Sequence, residues 1–298
     1  MHILRKQPGT EMNTMSETVT LHYGEEEGDF HIEHVRRTEP FARTNHWHGT
    51  YEIYYQLSGQ RAYFIKDRTF LISPGDLVFI GKHQVHKTSD VGLPGHERVV
   101  INFSDRFIGG DREHPLSHPA MLAAFQSPSR VFSLKLPDQI FVQNILQKMA
   151  KEIKERATGY EIYVKLLLLE LLLFSGRYSE RAETTAIEHQ SPVHKKISEI
   201  VRHINANYQE PMTLTGLSEQ FFMSPYYLSR AFKEVTGFTF VEYVNTTRIR
   251  EAQRLLKESN KKIIEIAELT GFENIAHFGR TFKKLARMTP LEYRKGER

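Results

Sequence analysis

The hydrophobic positions follow a short-strand pattern in the first third of the chain. Between residues 31 and 103 they form short runs rich in aromatic and β-branched side chains, at 51–57, 62–65, 69–72, 77–80 and 98–103. Turn residues such as Ser58-Gly59 and Ser73-Pro74-Gly75-Asp76 separate them. Many short strands joined by tight turns predict a β-barrel or a sandwich.

Helical spacing replaces this pattern after Pro137. Apolar residues recur every three or four positions from Ile140 to Ile153, and a second helix carries the run 166–173. That run is apolar around much of its circumference, which is typical of a helix buried in a core or at a subunit interface. A charged, aperiodic stretch follows, and helical spacing then continues from Ser191-Pro192 to the end of the chain.

These changes divide the chain into an α+β multidomain protein. The predicted parts are a β-barrel over 1–136 whose first 18 or so residues are disordered, a helical dimerisation segment over 137–178, a linker over 179–193, and an all-α domain with two helix-turn-helix units over 194–298.

The all-α domain contains an internal repeat. Arg230-Ala231-Phe232-Lys233 returns fifty residues later as Arg280-Thr281-Phe282-Lys283, and Thr239 with Glu242 returns as Thr289 with Glu292. Each copy is predicted to form a short helix, a tight turn and a second helix. A helix of about 20 residues from Phe240 to Ser259 joins the copies and spans roughly 30 Å, close to the spacing of successive major grooves, about 34 Å.

The second helix of each copy has an apolar inner face and a polar outer face. Arg can bind guanine through two hydrogen bonds, hydroxyl groups can bond to either base type, and Lys neutralises phosphate. The common alternative is a solvated basic face, and the duplication favours DNA reading. The predicted DNA-binding residues are Ser224, Tyr226, Tyr227, Ser229, Arg230 and Lys233 in the first copy and Asn274, His277, Arg280, Lys283 and Lys284 in the second.

Charge and composition agree with this interpretation. After residue 190 the chain has 18 Lys and Arg against 12 Asp and Glu, whereas the residues before it are almost neutral. A basic segment of this kind suggests a polyanionic partner. Cysteine is absent, which excludes disulfides, thiol catalysis and zinc fingers. No apolar segment is long enough to span a membrane, so we expect a cytoplasmic bacterial protein associated with the nucleoid.

The last hundred residues resemble the DNA-binding domain of AraC/XylS-type transcriptional regulators. The resemblance rests on Leu217-Ser218, on 224–233, on Arg248 in the joining helix, on Ile266-Ala267 and Gly271-Phe272, on 277–284 and on 289–294. It implies that one chain contacts two adjacent major grooves of promoter or operator DNA. It also implies base contacts by Tyr226, Ser229 and Arg230 in the first copy and by His277 and Arg280 in the second.

Two features depart from the AraC pattern, one in the first turn and one in the second recognition helix. Phe222 stands in the first turn, where the backbone requires a positive φ that suits glycine or asparagine. Ile275 and Ala276 stand where polar base-reading side chains are common, so the second copy is expected to read thymine methyl groups or DNA shape, or to add little specificity.

The β region resembles the cupin sequence motifs. His46, His48 and Glu52 followed by Gly59 match the first motif, and Gly75-Asp76 with His86 matches the second. Alternate residues of a strand face one side, and three imidazoles with one carboxylate can bind zinc, iron, manganese or nickel. The second motif has Gly81 and His83 where Pro and Gly are expected, and His83 is a further candidate ligand.

The same residues also suit an organic effector, and AraC-type sensor barrels use this pattern in that way. Aromatic rings can stack on a sugar while polar side chains hold its hydroxyl groups. The predicted effector is a sugar or a related metabolite. Its predicted site consists of Trp47, His48, Glu52, Tyr54, Arg61, Tyr63 and His86.

The leading hypothesis is a homodimeric, effector-controlled DNA-binding regulator with no enzymatic activity and no required cofactor, which contacts RNA polymerase if it is an activator. An alternative is a metal-dependent cupin enzyme that uses His46, His48, Glu52 and His86. A third is a constitutive DNA-binding protein whose barrel serves only to dimerise it, which a barrel interior filled with large apolar side chains would favour.

Overall fold

The computed structural model describes residues 17–39, 48–92, 95–109, 119–127, 130–181 and 191–296. The strands in these ranges are β1 (Glu17–Gly24), β2 (Phe30–Arg37), β3 (Tyr51–Ser58), β4 (Arg61–Ile65), β5 (Arg68–Ile72), β6 (Asp76–Ile80), β7 (His86–Asp90), β8 (His96–Phe103) and β9 (Val131–Ser133). They form a β domain of two sheets. One has the order β1-β2-β8-β3-β6-β9 and the other β5-β4-β7, with antiparallel pairing throughout.

The two sheets face each other, which confirms the predicted β-sheet domain. Strand pairing within the described residues does not join them into a closed cylinder. Val78, Val100 and Tyr63 are among the residues of both sheets that pack in the space between them, called the interior here. Alternate residues of a strand point to opposite faces, so Val99 and Ile101 of β8 point away from the interior into a second cluster.

Helices cover that outer face of the larger sheet. A 3-10 turn at Pro119–Met121 and the short α1 (Ala123–Gln126) precede the long α2 (Leu136–Glu155) and α3 (Tyr160–Arg181). Leu167, Leu168 and Leu171 of α3 pack with β-strand residues in one cluster. The apolar run of α3 is therefore largely core, while Ile140, Ile162 and Leu166 remain exposed.

The C-terminal domain is helical, as predicted. Its helices are α4 (Pro192–Asn207), α5 (Leu214–Gln220), α6 (Pro225–Thr236), α7 (Phe240–Glu258), α8 (Ile263–Leu269), α9 (Ile275–Ala286) and α10 (Pro290–Gly296). Helices α5 and α6 form the first helix-turn-helix unit, and α8 and α9 form the second. Within the described ranges no helix has the length and hydropathy needed to cross a bilayer.

The first unit packs against the smaller sheet. Phe64 of β4 and Val85, next to β7, lie in the same cluster as Ile200 of α4, Phe232 of α6 and Tyr243 of α7. The hydroxyl of Tyr243 donates a hydrogen bond to the carbonyl oxygen of Lys66 at 3.1 Å. The β domain therefore lies between the α2–α3 hairpin on one side and the first unit on the other.

Candidate nucleic-acid interface and interior polar site

The first recognition helix, α6, presents the predicted polar face to solvent. The Ser224 hydroxyl accepts a hydrogen bond from the Tyr227 amide at 3.3 Å, and Pro225 occupies the first turn, where the missing N–H costs nothing. Gly237 ends the helix with a φ of 85°. Leu228 and Phe232 are buried on the inner face. The predicted readers are all exposed: Ser224, Tyr226, Tyr227, Ser229, Arg230 and Lys233.

The second recognition helix, α9, has the same arrangement. The Asn274 side chain accepts hydrogen bonds from the Ala276 and His277 amides at 2.8 and 3.1 Å, which caps the helix. Phe278 and Phe282 are buried behind it. The predicted readers Asn274, His277, Arg280, Lys283 and Lys284 are exposed. Ile275 is also exposed, which fits an apolar contact to thymine methyl groups.

The turns before the two recognition helices have the same backbone. Phe222 has a φ of 56°, as predicted, and Gly271 has a φ of 83°. A Cβ added at Gly271 would lie 2.6 Å from the Gln209 carbonyl oxygen, so glycine is required there. The Phe222 side chain instead points into solvent with 94% of its surface exposed.

The joining helix α7 sets the distance between the units. A capping box begins it: Thr239 and Glu242 each accept the other's backbone N–H. Its 19 residues give a length of about 28 Å at about 1.5 Å per residue. This length is near the separation of successive major grooves on one face of DNA, about 34 Å.

One end of the interior brings together two histidines and a carboxylate, called the imidazole end here. Nε2 of His48 lies 3.2 Å and Nε2 of His86 lies 3.7 Å from Oε2 of Glu52. Burial by itself lowers the pKa of His48, but the hydrogen bond and negative charge of Glu52 outweigh it and raise the pKa above its ordinary value. Asn102, which the sequence analysis did not single out, lies 3.4 Å from Glu52.

The middle of the interior is filled by two tyrosines. The Tyr63 hydroxyl donates to Glu52 at 2.5 Å, and the Tyr54 hydroxyl donates to Gln56. Burial raises the pKa of Tyr54 to about 12. The cavity between Tyr54, Tyr63 and Arg98 has a volume of about 10 Å³. Such a space holds about one water molecule, so a sugar ring could enter only if these side chains moved.

The other end of the interior holds three buried arginines, Arg37, Arg61 and Arg98, and is called the guanidinium end here. Arg61 forms an ion pair with Asp90. Along the β4–β7 pair Arg61 lies opposite Asp90 and Ile65 opposite His86. Four residues of strand correspond to about 13 Å, so the two ends are separate sites.

The predicted site residues are therefore divided. Glu52, Tyr63 and His86 line the interior with His48, whereas Arg61 lies at the guanidinium end, away from them. His46 and Trp47 lie outside the described residues. Sequence reasoning missed Arg98 and His96, although polar residues at alternate positions of the apolar run 96–103 were a signal for an inward-facing polar row.

Comparison with known proteins gives two matching family models. The AraC-like ligand binding domain matches residues 30–172, and a helix-turn-helix domain matches 217–296. The melibiose operon regulatory protein of Escherichia coli K12 is 24% identical over 266 residues, covering 85% of this chain and 83% of that protein. The uncharacterized HTH-type transcriptional regulator YfiF of Bacillus subtilis is 28% identical over 271 residues, covering 85% and 81%.

Solved structures of regulators are also similar. An apo ToxT variant from Vibrio cholerae is 17% identical, covers 91% of this chain and 99% of its own, and has a TM-score of 0.39. The DNA-binding domain of AdpA in complex with a target DNA is 26% identical, covers 34% of this chain and 91% of its own, and has a TM-score of 0.33.

Proposed function

The chain belongs to the AraC-type transcriptional regulators, and from this premise we propose that it controls promoters through the two recognition helices in response to a small molecule bound in the interior. One observation carries the proposal. The two recognition helices, α6 and α9, are capped and expose their basic and polar faces, while helix α7 sets their separation.

We propose a sugar or a related metabolite as the effector. The melibiose operon regulator among the relatives supports this class. The interior supplies aromatic rings and hydrogen-bonding groups at Tyr54, Tyr63, Glu52 and His86, the mixture that polar ring compounds require. Because the free space is about 10 Å³, binding must be coupled to movement of the side chains that fill it, and a sensor can transmit such movement through the strands that carry them.

The α2–α3 hairpin is the proposed homodimer contact, within the segment 137–178. Ile140 and Leu166 are 51% and 54% exposed, and Ile162 is 67% exposed. Exposed apolar side chains concentrated on one hairpin favour an interface. A dimer would place four recognition helices on DNA, and an activator of this kind would also contact RNA polymerase.

The experiment is a binding assay on selected DNA. A duplex enriched from a random library by the full chain is titrated with protein at several salt concentrations, with and without candidate sugars. We expect specific binding that weakens steeply with salt and changes with one class of effector. The same affinity and footprint length with every candidate would overturn effector control, and failure to enrich any sequence would overturn sequence-specific binding.

A divalent metal ion is a second candidate occupant, at the imidazole end. The ligand atoms of His48, Glu52 and His86 lie within 4.8 Å of one another. Nδ1 of His48 lies 2.9 Å from the Thr50 carbonyl oxygen, and Nδ1 of His86 lies 2.8 Å from that of Gln84. A carbonyl can only accept, so both Nδ1 atoms carry hydrogen and both Nε2 atoms are directed at Glu52, as in histidines that bind metal.

Metal analysis of protein purified without chelator tests this second candidate. We expect close to one equivalent of zinc, manganese, iron or nickel, and loss of the metal in a His86→Ala variant. A His34→Ala variant is the matched control, because His34 pairs with Glu97 on the outer face of the larger sheet, away from Glu52. Less than about a tenth of an equivalent in the unaltered chain would exclude a resident metal.

A further inference from the structure

Three guanidinium groups converge at the guanidinium end of the interior. Arg37 comes from β2, Arg61 from β4 and Arg98 from β8, and their exposed fractions are 8%, 1% and 5%. Burying a guanidinium in a protein is unfavourable unless anionic groups and hydrogen bonds replace its water. Three on facing strands therefore create a strongly electropositive site.

Two carboxylates of the β domain, on Asp90 and Glu33, neutralise part of this positive charge. Arg61 is paired with Asp90 through Nη1 and donates to the Thr88 hydroxyl through Nη2 at 3.1 Å. Arg98 lies 3.3 Å from a carboxylate oxygen of Glu33. The Asp90 side chain is 21% exposed, so it reaches the buried Arg61 from the rim and has solvent beside it.

His96 adds a buried donor to this site. Burial, together with the positive charges of Arg61, Arg98 and Arg37, lowers its pKa to about 3. Its Nδ1 lies 3.4 Å from Nη1 of Arg61. Arginine can only donate, so Nδ1 accepts and the hydrogen of the neutral ring lies on Nε2. That Nε2 has no hydrogen-bond partner among the described residues, although the His96 side chain is 1% exposed.

We propose that the guanidinium end recognises a carboxylate group of the effector, and that the Asp90 carboxylate holds the place of that group in this structure. The proposal rests on the proposed function and narrows the effector to a sugar acid or another small organic acid. Arginine side chains match the two oxygens of a carboxylate geometrically and electrostatically. The Nε2–H group of His96 does not donate to Asp90 in this structure, and it supplies one more hydrogen bond to an oxygen of the effector carboxylate.

Replacement of the Asp90 carboxylate by the effector carboxylate can affect the DNA-binding domain through strand β7. Asp90 and Thr88 face inward toward Arg61, and Lys87, between them and His86, faces outward. The Lys87 ammonium donates to the carbonyl oxygen of Glu234 in α6 at 2.5 Å. When an effector carboxylate releases the Asp90 side chain to solvent, β7 loses the ion pair with Arg61 and keeps only the Thr88 hydrogen bond and the backbone pairing with β4. We expect this looser hold on β7 to change the Lys87 contact with the first recognition helix.

Chemical rescue tests the site in the full chain. An Asp90→Ala variant removes the internal carboxylate and leaves a space of matching size. We expect its melting temperature to fall, and formate or acetate to restore it by about 3–6 °C at ten times the dissociation constant. Acetamide, which has the same shape without charge, and chloride at equal ionic strength serve as control solutes.

Matched variants show where the added carboxylate binds. Arg61→Lys in the Asp90→Ala background keeps the positive charge and loses the planar fork, so we expect rescue to weaken at least tenfold. Arg36→Gln, on the exposed face of β2 beside Arg37, should leave rescue unchanged. If Asp90→Ala does not fold without carboxylate, Asp90→Asn serves in its place and should bind acetate more tightly than the unaltered chain does.

The outcomes separate the site from the proposed function. Absence of rescue, equal rescue by acetamide or chloride, or full rescue in the Arg61→Lys variant each overturns the carboxylate site. Rescue of the melting temperature together with a change in affinity for the selected duplex supports the site and effector control. Rescue with unchanged DNA affinity supports the site and overturns effector control through it.

Discussion

The two helix-turn-helix units have the same local structure and different surroundings. Both recognition helices are capped by side chains, and both turns use the same hydrogen bonds, from Met223 N to Ser218 O and from Phe272 N to Ala267 O, each at 2.9 Å. The core of the first unit includes Phe64 and Val85 of the β domain. Among the described residues, the core of the second is formed by side chains of the segment from α7 to α10.

This difference indicates that the two units respond differently to a movement of the β domain. The first unit is held by the domain that receives the effector, so a movement of the smaller sheet acts on α6 directly. The second unit follows α7 and borders the β domain across a groove lined by His48, Lys82 and Arg287, without a shared hydrophobic cluster among the described residues. We therefore expect the effector to change the placement of the first recognition helix and the second unit to follow as α7 moves.

The largest expected effect comes from removing the apolar contact between the first unit and the β domain. Phe64→Ala should cost about 3 kcal/mol, the lower limit for truncating a buried aromatic ring, and should loosen α4–α6 in hydrogen exchange while α8–α10 keep their protection. Phe272→Ala is the matched change in the second unit and should reverse this pattern. Equal loss of protection in both units after Phe64→Ala would show that the units are not separately held.

The next largest effect is the loss of DNA affinity when an arginine of either recognition helix is replaced by alanine. Arg230→Ala should lose about 2 kcal/mol of affinity for the selected duplex and relax one base position, because an Arg–guanine contact is made by two hydrogen bonds. Arg280→Ala should lose less, since the second face combines it with the exposed Ile275 and Ala276. Competition with single-base variants measures both. Uniform loss across all sequences would assign Arg230 to a phosphate contact instead.

The two turns should respond to substitution with opposite signs. Gly271→Ala should destabilise the second unit by about 1.5 kcal/mol, which is the typical cost of a left-handed backbone for a residue with a Cβ. The added Cβ would also lie 2.6 Å from the Gln209 carbonyl oxygen. Phe222→Gly should stabilise the first unit by about 0.5 kcal/mol. Denaturant unfolding measures both changes, and a loss of stability in Phe222→Gly would show that the exposed ring contributes to folding.

An effect smaller than that of Gly271→Ala is expected from the capping boxes. Thr239→Ala should cost about 1 kcal/mol. The hydrogen bond from the Thr239 backbone N–H, above all, lowers the pKa of Glu242. A carboxyl group with a lowered pKa stabilises the fold at pH above its ordinary value, and the contribution disappears as the pH falls through the lowered value. Thr289→Ala, beside Glu292, should act in the same direction. Glu242→Gln removes the titrating carboxyl group, and a stability difference between Glu242→Gln and the unaltered chain that does not change from pH 7 to pH 3 would contradict this explanation.

Local signals were sufficient for most of the C-terminal domain. Ser224-Pro225, Asn274 and Gly237 fix helix ends through hydrogen bonds and backbone preferences within a few residues, and the structure confirms all of them. The positive φ at Phe222 was equally local. The linking of Glu52 with His86 was predicted from strand alternation and a motif, and the two side chains do lie together in the interior.

The sequence by itself determined five of the strands (β3, β4, β5, β6 and β8), the helices, the caps and the exposed reading faces, because each depends on residue types and spacing along a short segment. Strands β1, β2, β7 and β9 were not among the predicted runs, and β1 begins at Glu17, within the segment expected to be disordered. Only the tertiary structure decided that Arg61 lies apart from Glu52, that Arg37, Arg98 and His96 join it, and that Phe64 packs into the first helix-turn-helix unit. These arrangements depend on which strands are paired and which faces meet, and residues far apart in the chain acquire a common electrostatic field only when the sheets are packed together.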